Sequence, residues 1–394
     1  MTGHARVVER LPAEQLFFPL AAAYALLSVP LSLHGMLDAS PLLPGFAHPL
    51  FHAHELLFGF ALAVVTGYLV NRIQYRYLML LAGVWLLARG LFLFMPVSLP
   101  AMVANLSFAA ALVGLTAPPF LRAAKKPRNK LFGPLLIAIG LAVAAFHLLQ
   151  PLGAAWQRAA IYQGLLLLAL LLVVMGGRII APAVANATER AGGTLEARLQ
   201  PRTEGALILL LLAALLVQPL PFARPLAGVL LLIAATLAAA RLWRWQPWHY
   251  RQRPDLLCLL LGYAWLVAGL ALLGIHWLTA VLSTGAALHA LTIGGLGTLT
   301  ATVMARVRLN RRKLSPANHP LLPIMVLALS GAAMLRIALP GSITTLWLSA
   351  ALWSLAFTLL LVLLLRHSDL PGLLPSSLRQ RLSENVSPRK RRLS

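Results

Sequence analysis

Acidic residues are scarce. There are ten Asp and Glu in 394 residues, and only 11% of the chain is charged. Soluble globular domains carry about 25% charged residues, so a soluble fold of this size is excluded. Cysteine is almost missing: the single Cys258 sits inside an apolar run. That excludes a disulfide framework, a thiolate-held iron–sulfur cluster and a Cys-x-x-Cys-His attachment for haem. Any haem would be held non-covalently. No extended alternating pattern supports a transmembrane barrel. The polar stretch Met1 to Gln15 has no short apolar core with a small-residue cleavage site, so no signal peptide is expected.

What is abundant is hydrocarbon: 60% of residues are hydrophobic and the mean hydropathy is +0.81. Twelve apolar runs, each near the roughly 20 residues that span a bilayer core, cover 17–36, 49–70, 77–96, 99–121, 131–150, 159–178, 205–220, 222–241, 256–274, 279–305, 320–339 and 342–366. Two prolines in Gln218-Pro219-Leu220-Pro221 predict a tight turn between the seventh and eighth. The fold class read from this is an all-α integral membrane protein of about twelve transmembrane helices, with both termini cytoplasmic.

The net charge of +23 supports that topology. With both ends inside, 29 of the 33 Lys and Arg fall in inside segments, and only Arg89, Arg158, Arg224 and Arg336 lie toward the outer side. This is the positive-inside rule. It accounts for the basic charge without nucleic acid, and the basic tail Arg389 to Arg392 reads as a solvated or lipid-facing end. The expected organisation is a cytoplasmic N-terminus (1–16), a twelve-helix domain (17–366) in two six-helix halves joined by 179–204, and a basic cytoplasmic tail (367–394). Many transporters divide this way.

Eleven histidines stand out. His4, His249, His319 and His367 fall near inside cations and read as ordinary interfacial residues. The other seven, His34, His48, His52, His54, His147, His276 and His289, all fall in the outer half. At about 1.5 Å per residue, His54 stands about 27 Å above Arg72, His289 about 25 Å above Arg306, His147 about 25 Å above Lys130, and His34 about 27 Å beyond Leu16. Four helices thus bring histidine to one layer. Imidazole is the usual ligand of haem iron and copper, and facing helices of a bundle build such sites. The competing reading is a belt of histidines bonded to headgroups or water.

The stretch His48 to Gly59 concentrates the pattern. At 100° per residue, His48, His52 and Glu55 share a face, whereas His54 points about 200° from His52. The two histidines of His52-Ala53-His54 therefore serve two sites, or the helix end is unwound. Glu55 could orient His52 as an acceptor or handle protons. After His289, the small residues of Gly294-Gly295-Leu296-Gly297 permit close approach of a helix or of a flat ligand. Arg89 and Arg336, within helices, need an anion: a haem propionate, Asp38 or a lipid phosphate.

Four segments resemble the NnrS family: Phe51-His52-Ala53-His54-Glu55-Leu56-Leu57-Phe58-Gly59-Phe60, Ala287-Leu288-His289-Ala290-Leu291-Thr292-Ile293-Gly294, Met175-Gly176-Gly177-Arg178-Ile179-Ile180 and Leu261-Gly262-Tyr263-Ala264-Trp265-Leu266. They come in family order, and the resemblance covers about residues 15 to 366. This chain departs from the family at Leu16-Phe17-Phe18-Pro19, which lacks a preceding arginine. It departs again at Asn71-Arg72-Ile73-Gln74, and at Leu260, where members often carry histidine. The resemblance implies a twelve-helix bacterial inner-membrane protein that binds b-type haem and copper. It implies a part in the response to nitric oxide and nitrosative stress, with an electron donor as a possible partner.

The expected function is therefore a haem- and copper-binding membrane protein that binds nitric oxide or helps dispose of it. His54 and His289 come first as axial or copper ligands, then His52 with Glu55 behind it, then His34 and His147. Arg89 and Arg336 are expected to hold the cofactor. Two rivals are a twelve-helix secondary transporter without a metal centre and a subunit of a quinol-linked haem–copper oxidase. The first leaves the outer-half histidines unexplained. The second lacks the adjacent His-His pair that such cores use for copper.

Overall fold

A computed structural model describes residues 10–38, 41–122, 130–196, 200–339 and 341–368. The basic tail beyond 368 and residues 1–9 lie outside the described residues. Twelve helical rods run through the rest. They are α1 (Glu14–Leu37), α2 (Pro49–Leu69), α3 (Tyr75–Phe94), α4 (Leu99–Arg122), α5 (Phe132–Leu148) and α6 (Ala154–Arg190). Then come α7 (Pro201–Val217), α8 (Arg224–Arg244), α9 (Pro254–Thr279), α10 (Thr284–Arg311), α11 (Leu321–Ala338) and α12 (Ile343–Arg366). Each expected apolar run coincides with one rod. Among the described residues, ten helices are long and apolar enough to cross a membrane. The chain is an all-α membrane protein.

The helix starts follow local chemistry. Pro49, Pro201 and Pro254 open α2, α7 and α9, where the missing N–H would have had no partner. Ser283 caps α10 by accepting the Ala286 N–H at 3.2 Å. The turn predicted at Pro219 and Pro221 forms as a short 3₁₀ segment, Pro221–Ala223, between α7 and α8. A two-residue antiparallel pair, β1 (Arg10–Leu11) with β2 (Ile73–Gln74), ties the chain ahead of α1 to the α2–α3 turn.

One boundary differs from expectation. The sixth run was bounded at Arg178, but α6 continues to Arg190, 37 residues in all. At 1.5 Å per residue that is about 55 Å, well past a hydrocarbon core of about 30 Å. Arg178 does not stop the helix because its guanidinium lies over the Phe132 ring, 3.9 Å from the centroid. Beyond it, Val184 and Ala185 are buried, and Tyr250 meets Thr188 at 2.8 Å.

Three buried or half-buried carboxylates bind the cation-rich end of the bundle. Each sits in the first turn of a helix, where the dipole favours negative charge. Glu14 of α1 pairs with Arg308 at 3.3 Å and Arg311 at 3.1 Å. Asp255 of α9 pairs with Arg306 and with Arg253. Glu204 of α7 pairs with Arg241 at 3.1 Å. The first two fasten the far end of α10 to α1 and α9. The histidines lie toward the other end of α2 and α10.

Candidate metal and cofactor sites

α2 and α10 are built alike. α2 begins as six residues of α-helix, Pro49–His54, followed by a π-helical segment, Glu55–Phe60. α10 begins with Thr284–His289 and passes into a π-helical segment, Ala290–Gly297. His54 and His289 are each the last residue before the π turn. Such wide turns are frequent at functional sites. Side chains take up the carbonyls in these stretches: Trp85 Nε1 donates to Gly59 O at 3.0 Å, and Thr292 Oγ1 to Leu288 O at 3.0 Å.

The glycines here serve packing. A methyl group on Gly294 would sit 2.6 Å from the Trp265 ring, and one on Gly297 would sit 2.9 Å from Trp353. The space beside the Gly-rich run is therefore filled by protein, which answers for a neighbouring helix rather than a flat ligand. Gly59 is occupied in the same way by the Arg89 side chain.

Two separate histidine clusters result. In the first, His54 Nδ1 lies 2.9 Å from Glu55 Oε1, and His54 Nε2 lies 3.1 Å from His147 Nε2 on α5. Glu55 also takes hydrogen bonds from Tyr24 of α1 and Arg89 of α3, and Arg89 reaches Asn105 of α4. His54 and Glu55 are fully buried, and Arg89 and His147 are each 3% exposed. Phe92 stacks on His54 at 4.1 Å, with Phe146 and Phe58 completing an aromatic cage. The proton positions follow from the partners. Glu55 accepts, so His54 Nδ1 donates and its Nε2 is a lone pair. His147 Nε2–H then donates across the 3.1 Å gap.

The second cluster lines a cavity of about 380 Å³ enclosed by α1, α2, α10, α11 and α12. His52, His289 and Arg336 face it amid a mostly apolar wall, and no Asp or Glu lines it among the described residues. His289 Nδ1 donates to Gly285 O at 2.6 Å. His52 Nδ1 meets Ser32 Oγ at 2.6 Å, and that hydroxyl donates to Val29 O at 3.0 Å. Ser32 has one hydrogen to give, so His52 Nδ1 must be the N–H. In both imidazoles the free nitrogen is therefore Nε2, carrying its lone pair. An Nδ1–H held by a carbonyl or hydroxyl is the usual support of a metal-ligating imidazole.

Measured against expectation, the pairing of histidines changes. His54 meets His147, and His52 shares a cavity with His289. The opposite directions of His52 and His54 hold, each serving its own cluster. Glu55 was a candidate to orient His52, but it bonds His54, because Arg89 and Tyr24 draw the carboxylate to that side and Ser32 supplies His52. Arg89 finds its anion in Glu55 and lies in the first cluster, away from the cavity wall. Arg336 is on that wall. His34 joins neither cluster: its side chain is 61% exposed and lies 3.8 Å from Asp38. His48 accepts the Leu50 N–H at 3.1 Å as a helix cap, and His276 bonds Leu282 O at 2.8 Å in the α9–α10 turn. Tyr24, Ser32 and Asn105 are the site residues that spacing does not reveal. They come from α1 and α4, which carry no motif.

Both clusters offer two imidazoles. Among the described residues no three His, Cys, Asp or Glu side chains converge as a metal site. A closed four-ligand zinc site is thus not built. The bare Nε2 atoms of His52 and His289 are the donor type that haem iron and copper take, and the His54–His147 pair becomes such a pair of donors once His147 gives up its Nε2 proton.

A helical bundle of spanning length with two histidine clusters toward one end defines a multi-pass membrane protein. The sequence matches the NnrS protein family over residues 15–367, nearly the whole chain, and the chain belongs to that family. A search of curated proteins returned no match.

Proposed function

We propose that the protein is a haem- and copper-binding component of the nitric oxide response in a bacterial inner membrane. The carrying observation is the cavity wall. His52 and His289 present bare Nε2 atoms into one mostly apolar space beside the cation Arg336. A non-covalent haem fits such a wall: an imidazole for iron, apolar surface for the macrocycle, and a guanidinium for a carboxylate. The His54–His147 pair fits copper, with Glu55 fixing the tautomer of His54 and Arg89 offsetting the carboxylate charge.

When bound, haem and copper supply a site for nitric oxide and a source or sink of electrons. The chain's own residues do the rest. Ser32 and Gly285 hold the imidazole planes. Phe58, Phe92 and Phe146 keep water from His54. Tyr24, Glu55 and Arg89 form a closed hydrogen-bonded set that can hold a proton next to the histidine pair without opening to the cavity.

The membrane arrangement belongs to the same reading: twelve spans, both termini cytoplasmic, and two six-helix halves meeting after α6. α5 and α7, at 17 residues each, lie at the short limit for a span. The 29 inside cations set the orientation. An electron donor on either face is compatible with it.

The test is to purify the protein and compare metal content, optical spectra and electron paramagnetic resonance with and without nitric oxide. His52→Ala and His289→Ala are expected to remove or alter the haem signal, and His54→Ala and His147→Ala the copper signal. Wild-type protein with neither a Soret band nor stoichiometric metal, yet able to move a solute in vesicles, would instead make it a transporter.

A further inference from the structure

A second cavity lies farther along the same two helices. It is smaller, about 80 Å³, and lies between α2, α6, α9 and α10 with one side open. Val64, Val65, Leu171, Leu299 and Val303 are among its walls. No charged residue lines it. Thr300 turns its hydroxyl back to Leu296 O at 2.7 Å and Gly297 O at 3.1 Å, so it offers the cavity no donor. Tyr68, on the same wall near the end of α2, is 36% exposed. A water needs two to four polar partners to stay in a cavity. This one supplies almost none, so it is dry.

The two cavities continue one another along both helices. On α10 the outer cavity is lined by Leu288, Thr292 and Leu296, and the inner by Leu296, Leu299 and Val303. That is a single helical stripe at spacings of three and four. On α2 the stripe passes from Phe60 on the outer wall to Ala61 on the inner. Leu296 is the one residue on both walls. The divide falls where both helices leave their π segments, Phe60 ending one and Leu296 standing one residue before the end of the other. Phe60 is held by the Phe357 ring at 5.3 Å. Leu296 is the side chain that stands between the two cavities.

We propose that the inner cavity is a lateral access route by which a small, uncharged, apolar gas passes from the bilayer to the histidine cavity, with Leu296 as its gate. The size fits a diatomic guest, since a water-sized guest needs only about 10–15 Å³ by the same measure. Half-exposed Leu172, Met175 and Ile179 on the same wall open it toward lipid. Ions and water are excluded by the lack of partners. The proposal rests on the reading above, because nitric oxide is a guest of this class.

The probes are xenon and carbon monoxide. Crystals of the full-length protein pressurised with xenon should show an anomalous peak in the inner cavity, and Leu296→Trp or Val65→Phe should remove it. In haem-loaded protein, bimolecular rebinding of carbon monoxide after flash photolysis should slow severalfold in Leu296→Trp and in Val65→Phe and quicken in Leu296→Ala, with the equilibrium spectrum unchanged in Val65→Phe, whose side chain lines the inner cavity alone. The proposal is overturned if xenon does not enter the inner cavity, if a hydrocarbon chain fills it, or if rebinding is the same in all variants. Should the protein hold no haem, the functional reading falls, and the xenon result alone decides whether the route exists.

Discussion

The Nε2 atoms of His54 and His147 face each other at 3.1 Å, brought together from positions 93 residues apart. One is tied from behind by Glu55, and the pair sits in a cage of phenylalanines. An imidazole pair in such surroundings shares one proton between its two Nε2 atoms.

If copper occupies that pair, His147→Phe should remove copper and leave haem in place, as read by elemental analysis and the Soret band. The same change leaves His54 Nε2 unpaired in an apolar cage. A buried polar atom without a partner costs about 1–3 kcal/mol, so thermal unfolding in detergent should come earlier. His147→Gln, which can still donate, should recover the stability but not the copper.

Glu55 and Arg89 depend on each other. Removing one member of a buried ion pair costs about 3–5 kcal/mol, because the other charge is left without compensation. Glu55→Leu and Arg89→Leu should each destabilise strongly. The double variant should be more stable than the sum of the two losses predicts. A double-mutant cycle from reversible unfolding in mixed micelles checks this, and simple additivity would contradict it.

Ser32, on the cavity wall, fixes the Nδ1 of His52. Loss of such a support typically lowers metal affinity about 10–100-fold. Ser32→Ala should therefore weaken haem retention by that order, and Ser32→Thr should largely preserve it. Haem titration of the apoprotein, followed at the Soret band, gives the answer.

Arg336 is the cation of a cavity wall that carries no carboxylate among the described residues. If it meets the carboxylates of haem, wild-type protein should prefer haem to its dimethyl ester. Arg336→Gln should lose that preference, and Arg336→Lys should keep part of it. Equal affinity of wild type for both compounds would remove Arg336 from cofactor binding.

The topology can be read with thiol reagents. Cys258 is buried, so the native protein should be nearly silent. A cysteine placed at Val97 should label from the periplasmic side of intact cells, and one at Leu314 only after the membrane is opened. The reverse pattern would invert the orientation inferred from the charges.

The helices are legible in the sequence because hydrocarbon length and apolar runs set them almost alone. α6 is the exception: Arg178 reads as a stop, and only the Phe132 ring beneath it shows why the helix goes on. The separation of His52 from His54 follows from 100° per residue. Their partners do not. Ser32 and Tyr24 come from α1, Asn105 from α4 and His147 from α5, and no spacing within a segment announces contacts between segments. The π turns are equally hidden. Gly59 and the run Gly294 to Gly297 hint at irregularity, but the same glycines would serve ordinary close packing.

Those π turns have a consequence for engineering. Each amounts to one residue more than the α-helix around it needs, so each takes up a surplus residue without turning one end of its rod against the other. Deleting Ile293 should let α10 close into regular α geometry with little harm to the fold. His289 and the far half of the helix should keep their relative phase, because the wide turn already absorbs the residue removed. In an ordinary membrane helix a single deletion scrambles every contact beyond it. Here the wide turn should take up the loss, leaving His289 at its cavity while the bundle stays assembled.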